Sequence, residues 1–368
     1  MLPIFLTITN IIIVVISLVT LVTIHELGHF ILAKKFGVKV EEFGIGIPPR
    51  IYGKKIGETV YSLNLIPLGA FVKLYGEEER IEEKRSFSGK PIWQRALIVL
   101  GGVIAFWIIA ALIMAVVAGV WGLPMQIEDT DQGFKNPEVE IAQVAKGSPA
   151  EESGLRIWDV INKAKADDNE ITIDKVQELI NFIDNHKDQE LTLTIKRGKQ
   201  ILNVSLIPRL NPPSGEGPIG IQPVRIAFKF YPWSEAIIQG IITTKNETLQ
   251  IVFTLGSLIS RLVRHVPIPK GEVEVGSVVV IGQFGVYALE SGINNFLTFL
   301  ASISIFLALF NILPIPALDG GKLLFLIIEK IRNKPINQRI EEKVTTAFFI
   351  LIMTLGVLII IRDIITRF

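Results

Sequence analysis

The chain has 368 residues, 37 basic and 36 acidic side chains, a net charge of +1 and no cysteine. That balance excludes capture of nucleic acid by bulk charge, and the missing thiols exclude a disulfide framework and any thiolate metal site. Mean hydropathy is +0.47 although a fifth of the residues are charged, which excludes disorder and places the apolar residues in separate blocks.

Four apolar runs stand out: Ile4 to Ile24, Ala96 to Val120, Phe296 to Ile315 and Ala347 to Ile361. At 1.5 Å per residue, about 20 residues cross a hydrocarbon core of about 30 Å. The competing reading, buried core helices, would need a soluble domain with repeated helices of that length. No basic stretch precedes the first run and no small-residue cleavage site follows it, so it reads as a span and not as a cleaved signal. The segment Lys34 to Arg95 holds 12 basic and 8 acidic residues, and Lys322 to Lys343 holds 6 and 3. Gly122 to Glu290 holds 17 basic and 22 acidic residues. The positive-inside rule then puts the two outer connections in the cytoplasm, and the long middle and both termini outside.

The chain divides at the spans. Residues 1–35 form the first helix and 36–90 a β-region with a cytoplasmic loop. Within that region, "FGIGIPPRIYGKKIGETVYSLNLIPLGAFVKLYG" alternates short apolar strands with Gly and Pro turns, and "YGKKIGE" reads as a hairpin turn. Such a sheet, apolar on both faces, lies at the membrane or dips into it, covered by protein; a small cytoplasmic hairpin domain is the alternative. Residues 91–121 form the second helix, opened by Pro91 with Trp93 and Arg95 at the interface. Residues 122–210 read as a compact extracytoplasmic α+β domain. It includes an amphipathic helix marked by Val176, Leu179, Ile180 and Ile183, with Asp174 available near its start as a cap, and a β-hairpin turning at Arg197-Gly198. Residues 211–290 read as a linker and an amphipathic helix, Trp233 to Val263, lying along the membrane surface, with a fifth span as the alternative. Residues 291–330 form the third transmembrane segment, and 331–368 a cytoplasmic loop and the fourth helix.

The chemistry is concentrated in "VTIHELGHF". Residues i and i+4 lie on one helix face, so His25 and His29 can grip one Zn²⁺. The adjacent Glu26 can take a proton from an activated water. Two imidazoles and a carboxylate are costly in a membrane segment without a function. Zinc needs a third protein ligand. Asp319 in "NILPIPALDGGK" is the only acidic residue between Glu290 and Glu329. Pro314 and Pro316 break the helix before it, and Gly320 and Gly321 permit close approach. Asn311 is a candidate donor to the substrate carbonyl or its oxyanion. The remaining histidines, His186 and His265, read as surface groups.

HELGHF on the first helix and NILPIPALDGG near the third resemble the site-2 protease family of intramembrane zinc metalloproteases. The segment "VAKGSPAEESGLRIWDVI" resembles a PDZ domain of the kind that family carries, and the order of motifs is most similar to its bacterial regulated-proteolysis branch with one PDZ domain. The resemblance implies a polytopic α-helical membrane protein of about four transmembrane helices, with a membrane-associated β-region that receives extended substrate and an inserted PDZ-like α+β domain. It implies His25, His29 and Asp319 as ligands of one Zn²⁺ and Glu26 as the catalytic carboxylate. Its substrates would be single-span membrane proteins already cut by another protease, locally unwound in the lipid bilayer of a bacterial cytoplasmic membrane. Three regions depart. Val103 and Phe106 stand where the family usually has proline and asparagine at the second helix; "VGSVVVIGQFG", Val275 to Gly285, lacks a usual proline; and Trp158 stands where glycine is usual in the PDZ-like segment. Two other readings compete: a catalytically silent membrane scaffold binding protein tails through the PDZ-like domain, and a zinc enzyme acting on a small molecule or lipid.

Overall fold

The computed structural model describes residues 2–134, 136–266 and 276–367. Helix α1 (Leu2–Lys35) runs through the first apolar stretch and on through His25, Glu26 and His29 without a break. No proline or turn residue interrupts it there, and Lys34 and Lys35 complement its C-terminal dipole. The HELGHF residues therefore lie on the last turns of the helix itself. A hairpin follows, β1 (Val40–Ile56) and β2 (Thr59–Leu74), with a two-residue turn at Gly57 and Glu58. It curls: Glu42 to Ile45 pair with Val60 to Leu63 on one edge and with Ala70 to Lys73 on the other, through repeated register shifts. Ile45, Ile47, Ile51, Leu63 and Leu65 remain exposed on it. Its root is fixed to α1 by the Phe30–Phe43 ring contact and by Lys34 donating to Glu58 at 2.8 Å.

Helix α2 (Ile92–Val120) packs on α1, and their shared core holds Val14, Leu21, Val103 and Phe106. Beyond it lies an antiparallel sheet of β3 (Leu123–Gln126), β4 (Glu138–Val144), β5 (Val160–Ala166), β6 (Asn169–Thr172), β7 (Leu191–Arg197), β8 (Gln200–Leu206) and β9 (Ile221–Lys229), in the order β3-β9-β4-β5-β7-β8 with β6 on β5. Two helices complete this unit, α3 (Pro149–Glu152) and α4 (Val176–Asn185). The core is one cluster around Ile141, Ile161, Leu179, Leu193 and Ile195. The expected cap of α4 is corrected. Asp174 does not cap it; the Asp129 carboxylate, from the connection after β3, accepts from the N–H groups of Val176 and Gln177 at 3.0 and 2.8 Å.

Helix α5 (Trp233–Val263) has the expected bounds. It does not lie apart from the bundle. It packs along α2 in the opposite direction: Trp233 and Ala236 lie near Gly119, Gly240 lies against Ala111 and Ala115, and Ile251 joins the cluster of Ala110, Met114, Ala301 and Ile305. Small residues on both helices let the backbones approach, which is how helices associate where water supplies no drive. Of the stretch expected as linker, 267–275 lie outside the described residues. A short apolar helix, α6 (Val278–Ser291), not expected from the sequence, precedes α7 (Ile293–Ile312). The expected third segment to residue 330 is two helices, because Pro314 and Pro316 break it; α8 (Asp319–Arg332) starts at the metal-ligand candidate. Helix α9 (Gln338–Arg367) closes the chain.

Among the described residues, α1, α2, α7 and α9 contain four stretches long and apolar enough to cross a membrane, at the four expected places. The sheet unit docks on the helices through Arg156, whose Nη1 donates to Glu290 at 2.8 Å and whose guanidinium lies 4.4 Å from the Tyr287 ring centre. Trp158, held at φ +66°, packs into the helix core beside it.

Candidate metal centre

Three side chains from two distant stretches of sequence converge. His25 Nε2 and His29 Nε2 are 3.1 Å apart, and Asp319 Oδ2 lies 3.1 and 3.3 Å from them. In a tetrahedral zinc site with bonds of about 2.0–2.1 Å, neighbouring ligand atoms stand about 3.3 Å apart. The three atoms fit that spacing. Asp319 Oδ2 is buried and has no hydrogen-bond partner, which leaves it available to a metal between the three atoms. Both histidines are buried, at 6 % and 7 % exposure.

The two imidazoles are oriented differently. His29 Nδ1 lies 2.9 Å from the carbonyl of Ile98 on α2, so it donates there and leaves Nε2 as the ligand atom. His25 Nδ1 has no partner; its ring stacks on Phe106, centres 4.5 Å apart and planes 28° from parallel. Phe106 is thus a wall of the site, fixed in turn by Ser304 Oγ, which donates to the Phe106 carbonyl at 2.8 Å. Helix α2 can come this close because Gly28 of α1 faces Gly101, while Gly102 lies against both imidazoles; a Cβ at Gly102 would collide with His29 Nε2 and His25 Cε1. The pair Gly101-Gly102 is a site feature that sequence reading missed as such. Its signal was present, two glycines inside an otherwise apolar helix.

Asp319 reaches the site because the backbone turns sharply after α7. Gly320 abuts the carbonyls of Ile312 and Leu313, and Gly321 abuts Ile315 and Pro316. The expected close approach of these two glycines is the one observed. Glu26 lines a cavity of about 220 Å³ together with His29, Asp319, Phe71, Val72, Leu74, Glu77, Ile98, Val99 and Lys322. β2 therefore forms one wall of the space beside the ligands. Lys322 donates to Glu77 at 2.5 Å across the cavity mouth. Asn311 is not among the described residues lining this cavity, and its Nδ2 donates to the Leu307 carbonyl at 2.9 Å. His186 sits at the end of α4 against Phe182, and His265 is exposed, so neither approaches the centre.

Residues 13–355 match the family model described as peptidase family M50. The chain belongs to peptidase family M50. This is the site-2 protease family of membrane-embedded zinc peptidases, and the match takes in the HELGHF helix, the curled hairpin, the sheet unit and the LDG turn together. A Clostridium perfringens protein with a zinc-metalloprotease name is 36 % identical over 346 residues, covering 94 % of this chain and 95 % of its own length. A Nostoc protein named likewise is 29 % identical, with 94 % and 93 % covered. The regulator of sigma-W protease RasP of Bacillus subtilis is 26 % identical over 424 residues, with 91 % and 94 % covered. The M50 chain described here is a peptidase, and His25, His29 and Asp319 form a group that could hold a metal ion.

Proposed function

We propose that this M50 peptidase hydrolyses peptide bonds within or next to transmembrane segments of membrane proteins, with one Zn²⁺ held by His25, His29 and Asp319. The observation that carries the reading is the convergence of those three ligand atoms beside Glu26 in a cavity walled by β2. The metal supplies Lewis acidity, activating water and polarising the scissile carbonyl. Glu26 takes the proton of the attacking water and later delivers it to the leaving amine. Asn311, although outside the cavity lining, is the candidate donor to the substrate carbonyl through the Nδ2 proton not given to Leu307. The exposed edges and apolar faces of the curled hairpin bind the substrate as an extended strand, because a helical amide is hydrogen-bonded and shielded from attack.

The ligands sit at the Lys34–Lys35 end of α1, which the charge bias assigns to the cytoplasmic side. The sheet unit then lies outside, and read as the PDZ-like domain that the sequence resembles it suits a filter or dock for single-span substrates pre-cut by another protease. The relatives named RasP, regulator of sigma-W protease, support a place in regulated proteolysis. The test is cleavage of single-span membrane peptides in detergent micelles by the native chain and by Glu26→Gln, which keeps size and removes basicity. The expected outcome is cleavage within the span by the native chain and a loss of at least about 100-fold in the variant. Equal cleavage by both would overturn the role of Glu26. A zinc-loaded native chain that cleaves none of the panel would favour the silent scaffold.

A further inference from the structure

Asp319 is the least anchored of the three ligands. His25 and His29 ride on a 34-residue helix, whereas Asp319 opens a 14-residue helix that follows a proline break. No continuous helix sets the height or rotation of α8. Its outer side is bare, with Ile327 and Ile331 54 % and 75 % exposed. What α8 turns towards the rest of the molecule is a narrow stripe, with Leu326 buried and Asp319 and Glu329 partly buried, at spacings of 7 and 3 that share one helix face, while Lys322 between them is exposed. Glu329 is ten residues from Asp319, or about 15 Å along the axis.

At that far end Glu329 receives a two-pronged grip from α2. Arg95 Nη1 donates to Oε2 at 3.0 Å and Nη2 to Oε1 at 2.6 Å, while Nε donates to the Lys90 carbonyl at 3.1 Å. The side chains are 9 % and 15 % exposed. A planar fork bound at three points fixes rotation as well as distance. The same helix α2 holds the His29 tautomer through the Ile98 carbonyl, one turn beyond Arg95, and presents Gly102 to both imidazoles. At the near end, Lys322 donates to Glu77.

We infer that Arg95, through Glu329, is a positioning residue for the metal centre: the bidentate pair sets the register of α8 against α2 and so places the Asp319 carboxylate opposite the two imidazoles. A buried ion pair adds little stability compared with a well-packed apolar pair, so register is the property it supplies here. The inference rests on the reading that His25, His29 and Asp319 hold zinc.

The test uses the full chain in detergent, with three variants. One is Arg95→Lys, which keeps the charge and removes the fork. The second is the double variant Arg95→Met, Glu329→Met, which keeps volume and removes the pair. The third is the exchange Arg95→Glu, Glu329→Arg. Zinc affinity is measured by chelator competition, and ligand geometry by the visible spectrum of the cobalt-substituted chain. Thermal unfolding of the metal-free chain reports folding separately. The expected result is metal-free unfolding close to native in the Lys variant, with zinc affinity down about 10- to 100-fold in the Lys and Met variants and an altered cobalt spectrum. The exchange should restore affinity to within about tenfold of native. Native affinity and spectrum in a folded Lys or Met variant would overturn the inference. Should the Met pair fail to fold, the Lys variant still decides. Failure of the zinc reading itself would appear differently, as a native chain that binds no zinc at this site.

Discussion

In the inserted sheet unit, Ile141, Ile161, Leu193 and Ile195 from three strands meet Leu179 of α4 in one fully buried cluster. Around the metal centre the buried contacts are of another kind: glycine against glycine, a ring stacked on His25, a carbonyl on His29, and an ion pair behind α8. The first region removes apolar surface from water, so its stability follows buried area. The second is surrounded by exposed Ile and Leu side chains on α1, α2 and α9, and lipid tails are as apolar as those residues. Close approach and a few polar ties must then do what the hydrophobic effect does elsewhere. The two regions should fail separately and by different substitutions.

The largest expected effect is in the helix region. Gly102→Ala adds one methyl group where both imidazoles already touch the backbone, so the ligands must part. Zinc affinity should fall by at least about 100-fold, with peptidase activity lost and the amide protection of the sheet unit unchanged. An alanine variant with native zinc affinity would show that the helices have slack at this point. The converse is Leu193→Ala, in a fully buried side chain of β7. It should destabilise the sheet unit by about 2–5 kcal/mol, read by hydrogen exchange on β5 and β7, while zinc affinity stays within about twofold. Loss of zinc in that variant would mean that the Arg156–Glu290 dock transmits unfolding to the helices.

The smallest effect sharpens the picture of the sheet unit alone. Glu140 on β4 is pushed up from the ordinary carboxylate range to about 7, by burial first and then by the charges of Glu138 and Asp159. A raised folded-state pKa means that ionisation opposes folding. The unit should be most stable below the ordinary carboxylate pKa, lose stability as the pH rises towards about 7, and level off above it. Glu140→Gln should remove that slope and raise the unfolding temperature of the unit by about 2–4 °C at pH 8 but not at pH 4. A pH-independent gain would point to packing as the cause.

Much of the site was legible in the sequence because its constraints are local. The i, i+4 spacing puts His25 and His29 together whatever surrounds them, and an isolated Asp319 after two prolines leaves few other candidates. The four spans were legible for the same reason, since length and hydropathy suffice. What was not legible depends on distant partners. The cap of α4 comes from Asp129, 47 positions before Val176, while the nearer Asp174 leaves it uncapped. α5 carries polar residues that suggest a surface helix, but its Gly240 fits against α2. Phe106 departs from the family pattern in sequence, and only the fold shows that its ring stacks on His25. The break between α7 and α8 could be read from the prolines; that α8 needs Arg95 to hold it could not.

The most direct measurement is X-ray absorption at the zinc edge of the purified native chain and of Asp319→Asn, with metal content determined in parallel. The account predicts one zinc per native chain, with two imidazole nitrogens and a carboxylate oxygen at about 2.0–2.2 Å, and loss or rearrangement of that shell in the variant. A native chain without zinc after supply, or a shell that Asp319→Asn leaves unchanged, would contradict it.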